Sequence, residues 1–183
     1  MAIRFRHRAT SPSPREDGFT LVELMIIIAI ISILAAVAVP GLLRARVTGN
    51  ETSAIASLKV VSSSQIAYTV SCGNGGYAPT FVVLGTPPVP GSPAYISADL
   101  GSVVAPTKSG YNYTLGAGLG ATPGPNDCHG GVTTSSYYAS AVPLTLNATG
   151  TRAFAINPSA AIWQNQGAIA PTEPFGPPAV LIQ

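Results

Sequence analysis

Polarity along the chain changes in three steps. Met1 to Gly18 is polar and basic, with Arg4, Arg6, Arg8 and Arg15 placed around a Ser-Pro-Ser-Pro stretch that does not favour a helix. From Leu24 to Leu43 the chain is apolar, broken only by Ser32 and the Pro40-Gly41 pair. A run of about 20 such residues, rising about 1.5 Å each, is long enough to cross a hydrocarbon core of about 30 Å, so a membrane-spanning helix is predicted here. Past Gly41 the pattern becomes one-sided. At about 100° per residue, Val47, Ala54, Leu58, Val61 and Tyr68 share one stripe, while Lys59 and most of the serines point elsewhere. The helix is therefore expected to continue to about Val70 and to dock its outer half on a globular portion. Ile55 and Ile66 lie on the flank of the stripe, open either to that portion or to another molecule.

Gly73-Asn74-Gly75-Gly76 supplies residues that tolerate left-handed geometry, which ends the helix. Thr86 to Pro93 reads as an irregular proline-rich connector. Strand-like alternation follows at Tyr111 to Leu115, Ser136 to Val142, Arg152 to Asn157 and Ala160 to Trp163, and the Asn157-Pro158-Ser159 break predicts that the last two pair as a hairpin. Val82, Val83, Leu84, Leu144, Phe154, Ile156 and Trp163 are the core candidates. The expected fold is α+β: a long N-terminal helix, membrane-spanning in its first half and amphipathic in its second, packed against a small antiparallel sheet. Its divisions are a leader at 1–18, the apolar half-helix at 19–43, the amphipathic half at 44–70 and a head domain at 71–183.

At the junction of leader and apolar run stands Gly18-Phe19-Thr20-Leu21-Val22-Glu23-Leu24-Met25. A secretory signal would place its cleavage site after the apolar run, whereas here a cut after Gly18 removes only the basic leader and leaves the apolar helix at the new N-terminus. The arginines before the span outnumber Arg44 and Arg46 just after it, which favours a cytoplasmic leader and an exported C-terminal portion. This arrangement resembles the type IV pilin family, strongly from Gly18 to about Val70 and only in outline beyond. The resemblance implies that a prepilin peptidase cuts after Gly18 and methylates the amine of Phe19, and that the mature subunit packs into a filament. Glu16 and Asp17 stand where family leaders often carry Lys or Arg, a departure that bears on cleavage efficiency.

Glu23 needs a reason, because a carboxylate within a spanning segment costs roughly 2.5–3.5 kcal/mol at mid-helix and somewhat less near the end. Thr20-Leu21-Val22-Glu23 fits a capping box, and an acid suits the first helical turn. The family resemblance implies a second role, in which Glu23 neutralises the Phe19 amine of a neighbouring subunit. The two roles can coexist. Pro40 removes a helical donor and presses on the carbonyl of Ala36, so a kink is expected between Ala36 and Gly41, unless Pro40 marks the membrane exit. In the family reading the bend, or a locally unwound turn, lets subunits stretch and pack.

Cys72 and Cys128 are the only cysteines, both on the exported side, where an oxidising compartment favours their union. Such a bridge contributes roughly 4 kcal/mol as an upper figure in the chain-entropy model. Beyond the leader, Arg44, Arg46, Lys59, Lys108 and Arg152 are balanced by Glu23, Glu51, Asp99, Asp127 and Glu173, so no basic cluster suited to nucleic acid is present and none is expected as a partner. Asp127-Cys128-His129 reads as a polar loop beside the disulfide; His129 is the only histidine after the leader, which leaves a hydrolase without parts, and neither catalysis nor a metal is expected. Gly116 to Ala121 matches G-x-G-x-x-A, but Thr122-Pro123-Gly124-Pro125 cannot open the helix that motif requires. Calcium, held by pseudopilins of type II secretion, needs clustered oxygens, and Asp99, Asp127 and Glu173 are scattered in sequence. Asn112-Tyr113-Thr114 and Asn147-Ala148-Thr149 match the glycosylation pattern beside strand-like sequence, and chance is the favoured account of both. Phe19 and Tyr68 are the only aromatics of the helix, which disfavours an aromatic electron path.

The resulting expectation is a non-enzymatic structural subunit of a type IV pilus-like filament, drawn from an inner-membrane pool and displayed at the cell surface. By resemblance its partners are copies of itself, a prepilin peptidase, an assembly platform and an assembly ATPase, with no cofactor. The alternatives are a type II secretion pseudopilin, a minor pilin acting as adhesin or nucleic-acid-binding module, and a monomeric membrane-anchored domain.

Overall fold

The computed structural model describes residues Gly18 to Ile182. The leader up to Asp17, with its arginines and Glu16, lies outside the described residues. Two compact units meet in sequence at Pro40 and Gly41. The first contributes one element, the opening half of helix α1 (Leu21–Ser71), which stays helical through Pro40.

The second unit holds the rest of α1, the one-turn helices α2 (Phe81–Leu84) and α3 (Ala98–Gly101), and eight strands. These are β1 (Thr107–Lys108), β2 (Tyr111–Ala117), β3 (Pro123–Asn126), β4 (Val132–Thr134), β5 (Tyr137–Pro143), β6 (Arg152–Ile156), β7 (Trp163–Gln166) and β8 (Val180–Leu181). Six of them form one antiparallel sheet in the order β1-β2-β5-β6-β7-β8, and β3 pairs with β4 separately. The α+β expectation holds.

Alternation explains the sheet. In β2, Tyr111, Tyr113 and Leu115 are buried while Asn112 and Thr114 are exposed. Tyr111, Tyr113, Leu115, Tyr137, Ala139, Ala141, Phe154 and Ile156 form one core cluster with Ala54, Leu58, Val61 and Tyr68 of α1. Fully burying a large apolar side chain contributes about 1.5–3 kcal/mol, so this cluster supplies much of the drive for helix and sheet to dock. On the opposite face Tyr138, Trp163 and the C-terminal segment meet: Phe175 stacks on Trp163 with centroids 5.5 Å apart, and the Tyr138 hydroxyl donates to the Pro171 carbonyl at 2.5 Å.

Several expectations need correction. Ser57, Ser62 and Ser64 are buried on the docking face rather than pointing away, because α1 meets the head partly through hydrogen bonds such as that from the Ser64 hydroxyl to the Tyr95 carbonyl. Val47 is only half-buried, and of the flanking pair Ile55 packs against the core while Ile66 is exposed. Residues 81–84 form a helical turn, which turns Phe81 and Leu84 inward and leaves Val82 exposed and Val83 half-buried. Leu144 leaves β5 into the following turn and is exposed. Trp163 lies half-buried on the outer face against Phe175.

The strand expected from Ala160 begins instead at Trp163, as β7. The turn before it is longer than its proline suggests, since Asn157 Oδ1 accepts from the Ser159 amide and hydroxyl, and Ala160, at φ 59°, closes back on the Asn157 carbonyl. The hairpin of β6 with β7 is present all the same.

Candidate functional site: the capped N-terminal segment and the head that carries it

Helix α1 opens on a reciprocal cap. Thr20 Oγ1 accepts from the Glu23 amide at 3.2 Å, and Glu23 Oε2 accepts from the Thr20 amide at 3.0 Å and the Thr20 hydroxyl at 2.8 Å. The exchange satisfies donors that a first helical turn leaves unpaired, and it sets a negative charge at the positive end of the helix dipole. Only Oε2 is used: Glu23 Oε1 makes no hydrogen bond among the described residues. Capping therefore does not exhaust the carboxylate. Gly18 and Phe19 precede the cap and are exposed, and a Cβ built on Gly18 would meet nothing within 4 Å. Neither packing nor backbone geometry in the folded chain demands glycine there.

Every residue from Gly18 to Arg46 is exposed, including the isoleucines and leucines of the apolar run. The exceptional polar side chain, Ser32, returns its hydroxyl to the Ile28 carbonyl at 2.7 Å, which leaves the surface around it apolar. Soluble monomers rarely expose continuous apolar surface on this scale, so such a surface marks an interaction with lipid or protein. A span of this length and composition is the one candidate membrane helix among the described residues. Pro40 and Gly41 follow at the boundary between the two units.

In the head, Cys72 and Cys128 are joined, and the Cys128 amide also donates to the Cys72 carbonyl at 2.9 Å. Asp127 organises the adjoining loop. Its Oδ1 accepts from the amides of His129 at 2.9 Å and Gly131 at 2.7 Å, and its Oδ2 accepts from the Tyr68 hydroxyl at 2.8 Å. Burial raises the Tyr68 hydroxyl pKa, and the Asp127 carboxylate raises it further. The three scattered acids are each committed to protein partners: Asp99 to Ser97 and Lys108, Asp127 to its loop, and Glu173 to the Leu119 amide and the Asn157 side chain.

One constellation was not anticipated. Glu51 is buried in the helix–sheet interface at 4% exposure. Its Oε1 accepts from the Thr151 amide at 2.8 Å and hydroxyl at 2.7 Å, and its Oε2 from Arg152 Nε at 2.9 Å and Nη2 at 2.5 Å. Arg152 Nη1 passes on to Gln164 Oε1 at 2.7 Å. Burial pushes the Glu51 carboxyl up, but the Arg152 guanidinium and the Thr151 donors outweigh it and hold the pKa below the usual carboxylate range. The signal was available in part, since Glu51 falls on the same helical stripe as Val47, Ala54 and Leu58. Lys108 is likewise paired, with Asp99 at 2.7 Å, so the head's two basic side chains beyond the helix both sit in ion pairs.

Comparison with known proteins bears on the N-terminal segment first. Residues 13–39 match the family model described as the prokaryotic N-terminal methylation motif. The chain is 39% identical over 61 residues to the type IV major pilin protein PilA of Myxococcus xanthus, covering 33% of this chain and 28% of that protein. It is 39% identical over 88 residues to the type IV wide pilus major component PilA4 of Thermus thermophilus, covering 48% of this chain and 66% of that protein. No solved structure matches. Methylation motif, exposed apolar helix and helix-on-sheet head together make this a type IV pilin-like chain, which spans 28% and 66% of the lengths of these two relatives.

Proposed function

We propose that the chain is the structural subunit of a type IV pilus-like filament, matured by cleavage after Gly18 and methylation of Phe19. The observation that carries this reading is the exposed apolar run from Leu24 to Leu43, interrupted only by Ser32 and the Pro40-Gly41 pair and overlapped by the matched motif. Water cannot be its resting environment. Before assembly the segment spans the inner membrane, with the head exported; afterwards the same surface is covered by neighbouring copies in the filament core. Glu23 keeps its cap on Thr20 and offers its charge and free Oε1 to the Phe19 amine of a neighbour, which removes two uncompensated charges from an apolar core. Pro40 and Gly41 mark the place where the apolar helix bends to enter that packing. A prepilin peptidase, an assembly platform and an assembly ATPase supply the work of maturation and extension.

Mass spectrometry of filaments sheared from cells expressing the chain tests this directly. The expected bulk component begins at Phe19 with one added methyl group. Material that begins at Met1 and stays monomeric in the membrane fraction would overturn the reading; trace incorporation with lost adhesion on deletion would replace it with a displayed binding module.

A further inference from the structure

Cys72, Cys128 and His129 form a cluster of metal-ligand side chains, and His129 is left over from every role described above. His129 Nδ1 lies 3.3 Å from Cys128 Sγ and 3.7 Å from Cys72 Sγ. A tetrahedral zinc ion with sulfur at about 2.3 Å and nitrogen at about 2.0–2.1 Å holds its sulfur and nitrogen ligands about 3.5 Å apart. The imidazole nitrogen already stands at that separation from both sulfurs. We propose that this corner is a zinc site gated by the disulfide: once the bond is reduced, the two thiolates and His129 Nδ1 take up one ion, and reoxidation expels it. The proposal is independent of filament assembly.

Hydrogen bonds tie the same corner together beside the disulfide. The Cys128 amide donates to the Cys72 carbonyl at 2.9 Å, and the Asp127 amide donates to the Gly131 carbonyl at 2.7 Å. Asn74 Nδ2 donates to the Asn126 carbonyl at 2.7 Å, and Tyr68, His129 and Gly131 all donate to Asp127. These contacts hold helix end and loop together when the sulfurs part to about 3.8 Å, the spacing two thiolates take on one zinc ion. Asp127 has both oxygens committed and serves to hold the loop. Cys128 and His129 are exposed, so water completes the fourth position.

The chemistry balances with a dithiol or phosphine as reductant. It supplies two electrons, the sulfur–sulfur bond breaks, two thiols form, and zinc then displaces one proton from each. Reoxidation by a small-molecule disulfide passes two electrons to that disulfide, which leaves as two thiols, re-forms the Cys72–Cys128 bond and leaves the ion without its sulfur ligands.

The test uses the full chain in detergent micelles, reduced with a phosphine, desalted without oxygen and titrated with cobalt(II) as a spectroscopic stand-in for zinc. One equivalent is expected to bind with thiolate-to-cobalt charge-transfer absorption, to be displaced by zinc, and to be absent from the oxidised chain. His129→Ala should weaken binding by about tenfold or more while leaving Trp163 fluorescence unchanged. No uptake by the reduced chain, undiminished affinity in His129→Ala, or loss of head structure on reduction alone would each overturn the proposal.

Discussion

Arg152→Ala is the sharpest test of how helix and head are joined. The substitution strands a carboxylate whose side chain is 6% exposed, leaves it only the Thr151 donors, and removes the donor to Gln164. Breaking a buried pair by deleting one partner costs about 3–5 kcal/mol; because the Arg152 side chain is 30% exposed, screening brings the expected loss to about 2–3 kcal/mol. Glu51→Gln keeps the shape and loses the charge, at about 1–2 kcal/mol. The double variant should cost less than the sum, with a coupling energy of at least about 1 kcal/mol. Urea unfolding in micelles, followed through the single tryptophan, reads this well, because Trp163 sits on β7 opposite Ala155 of the strand that carries Arg152. The pH dependence has a definite sign. The folded Glu51 carboxyl titrates below its unfolded value of about 4.3, so its contribution is present above that pH and is lost as pH falls through the depressed folded value. Glu51→Gln should lack that component of acid destabilisation. Coupling within about 0.5 kcal/mol of zero, together with identical acid profiles, would refute the argument.

Other substitutions probe separate links. Gln65 donates to the Ala78 carbonyl at 2.9 Å and accepts from its amide at 2.8 Å in a fully buried site, so Gln65→Leu should cost about 2 kcal/mol in the same unfolding assay. A Cβ on Gly85 would run into the Gly101 carbonyl oxygen, a backbone atom that cannot swing aside; Gly85→Ala should therefore lower the unfolding midpoint, whereas Gly41→Ala, with open space around it, should not by this route. Glu23→Ala should leave the chain membrane-inserted but poorly polymerised, as counted by sheared filament yield, and wild-type yield would remove its proposed assembly role.

Local pattern made some of this molecule legible and hid the rest. The capped start of α1, its end near Ser71, the left-handed Asn74 and Gly75 and the joined cysteines were all readable, because each rests on residues close in sequence or on the absence of other partners. Strands β2, β5 and β6 were readable because aromatic and small apolar residues alternate or cluster there. Pro123-Gly124-Pro125 gave no strand signal, yet β3 pairs with β4, since pairing to one partner does not require good intrinsic propensity. Buried Ser57, Ser62 and Ser64 look like solvent positions until Tyr95 and the tyrosine-rich sheet are placed opposite. The partner of Glu51 lies 101 residues away, a separation no periodicity reaches. At the N-terminal segment the motif was clear, but the sparing of Glu23 Oε1 by the cap was not.

The docking face of α1 has a mechanical consequence. A purely greasy contact can creep, because one methyl group substitutes for another as surfaces slide. Here Asn50, Glu51, Ser64, Gln65 and Tyr68 each grip a particular atom of the head. Sliding the helix by one turn, about 5.4 Å, would break all of these grips at once with no substitutes in register. Tension applied along α1 thus meets a shear joint loaded in parallel, which holds its full strength until it fails as a unit.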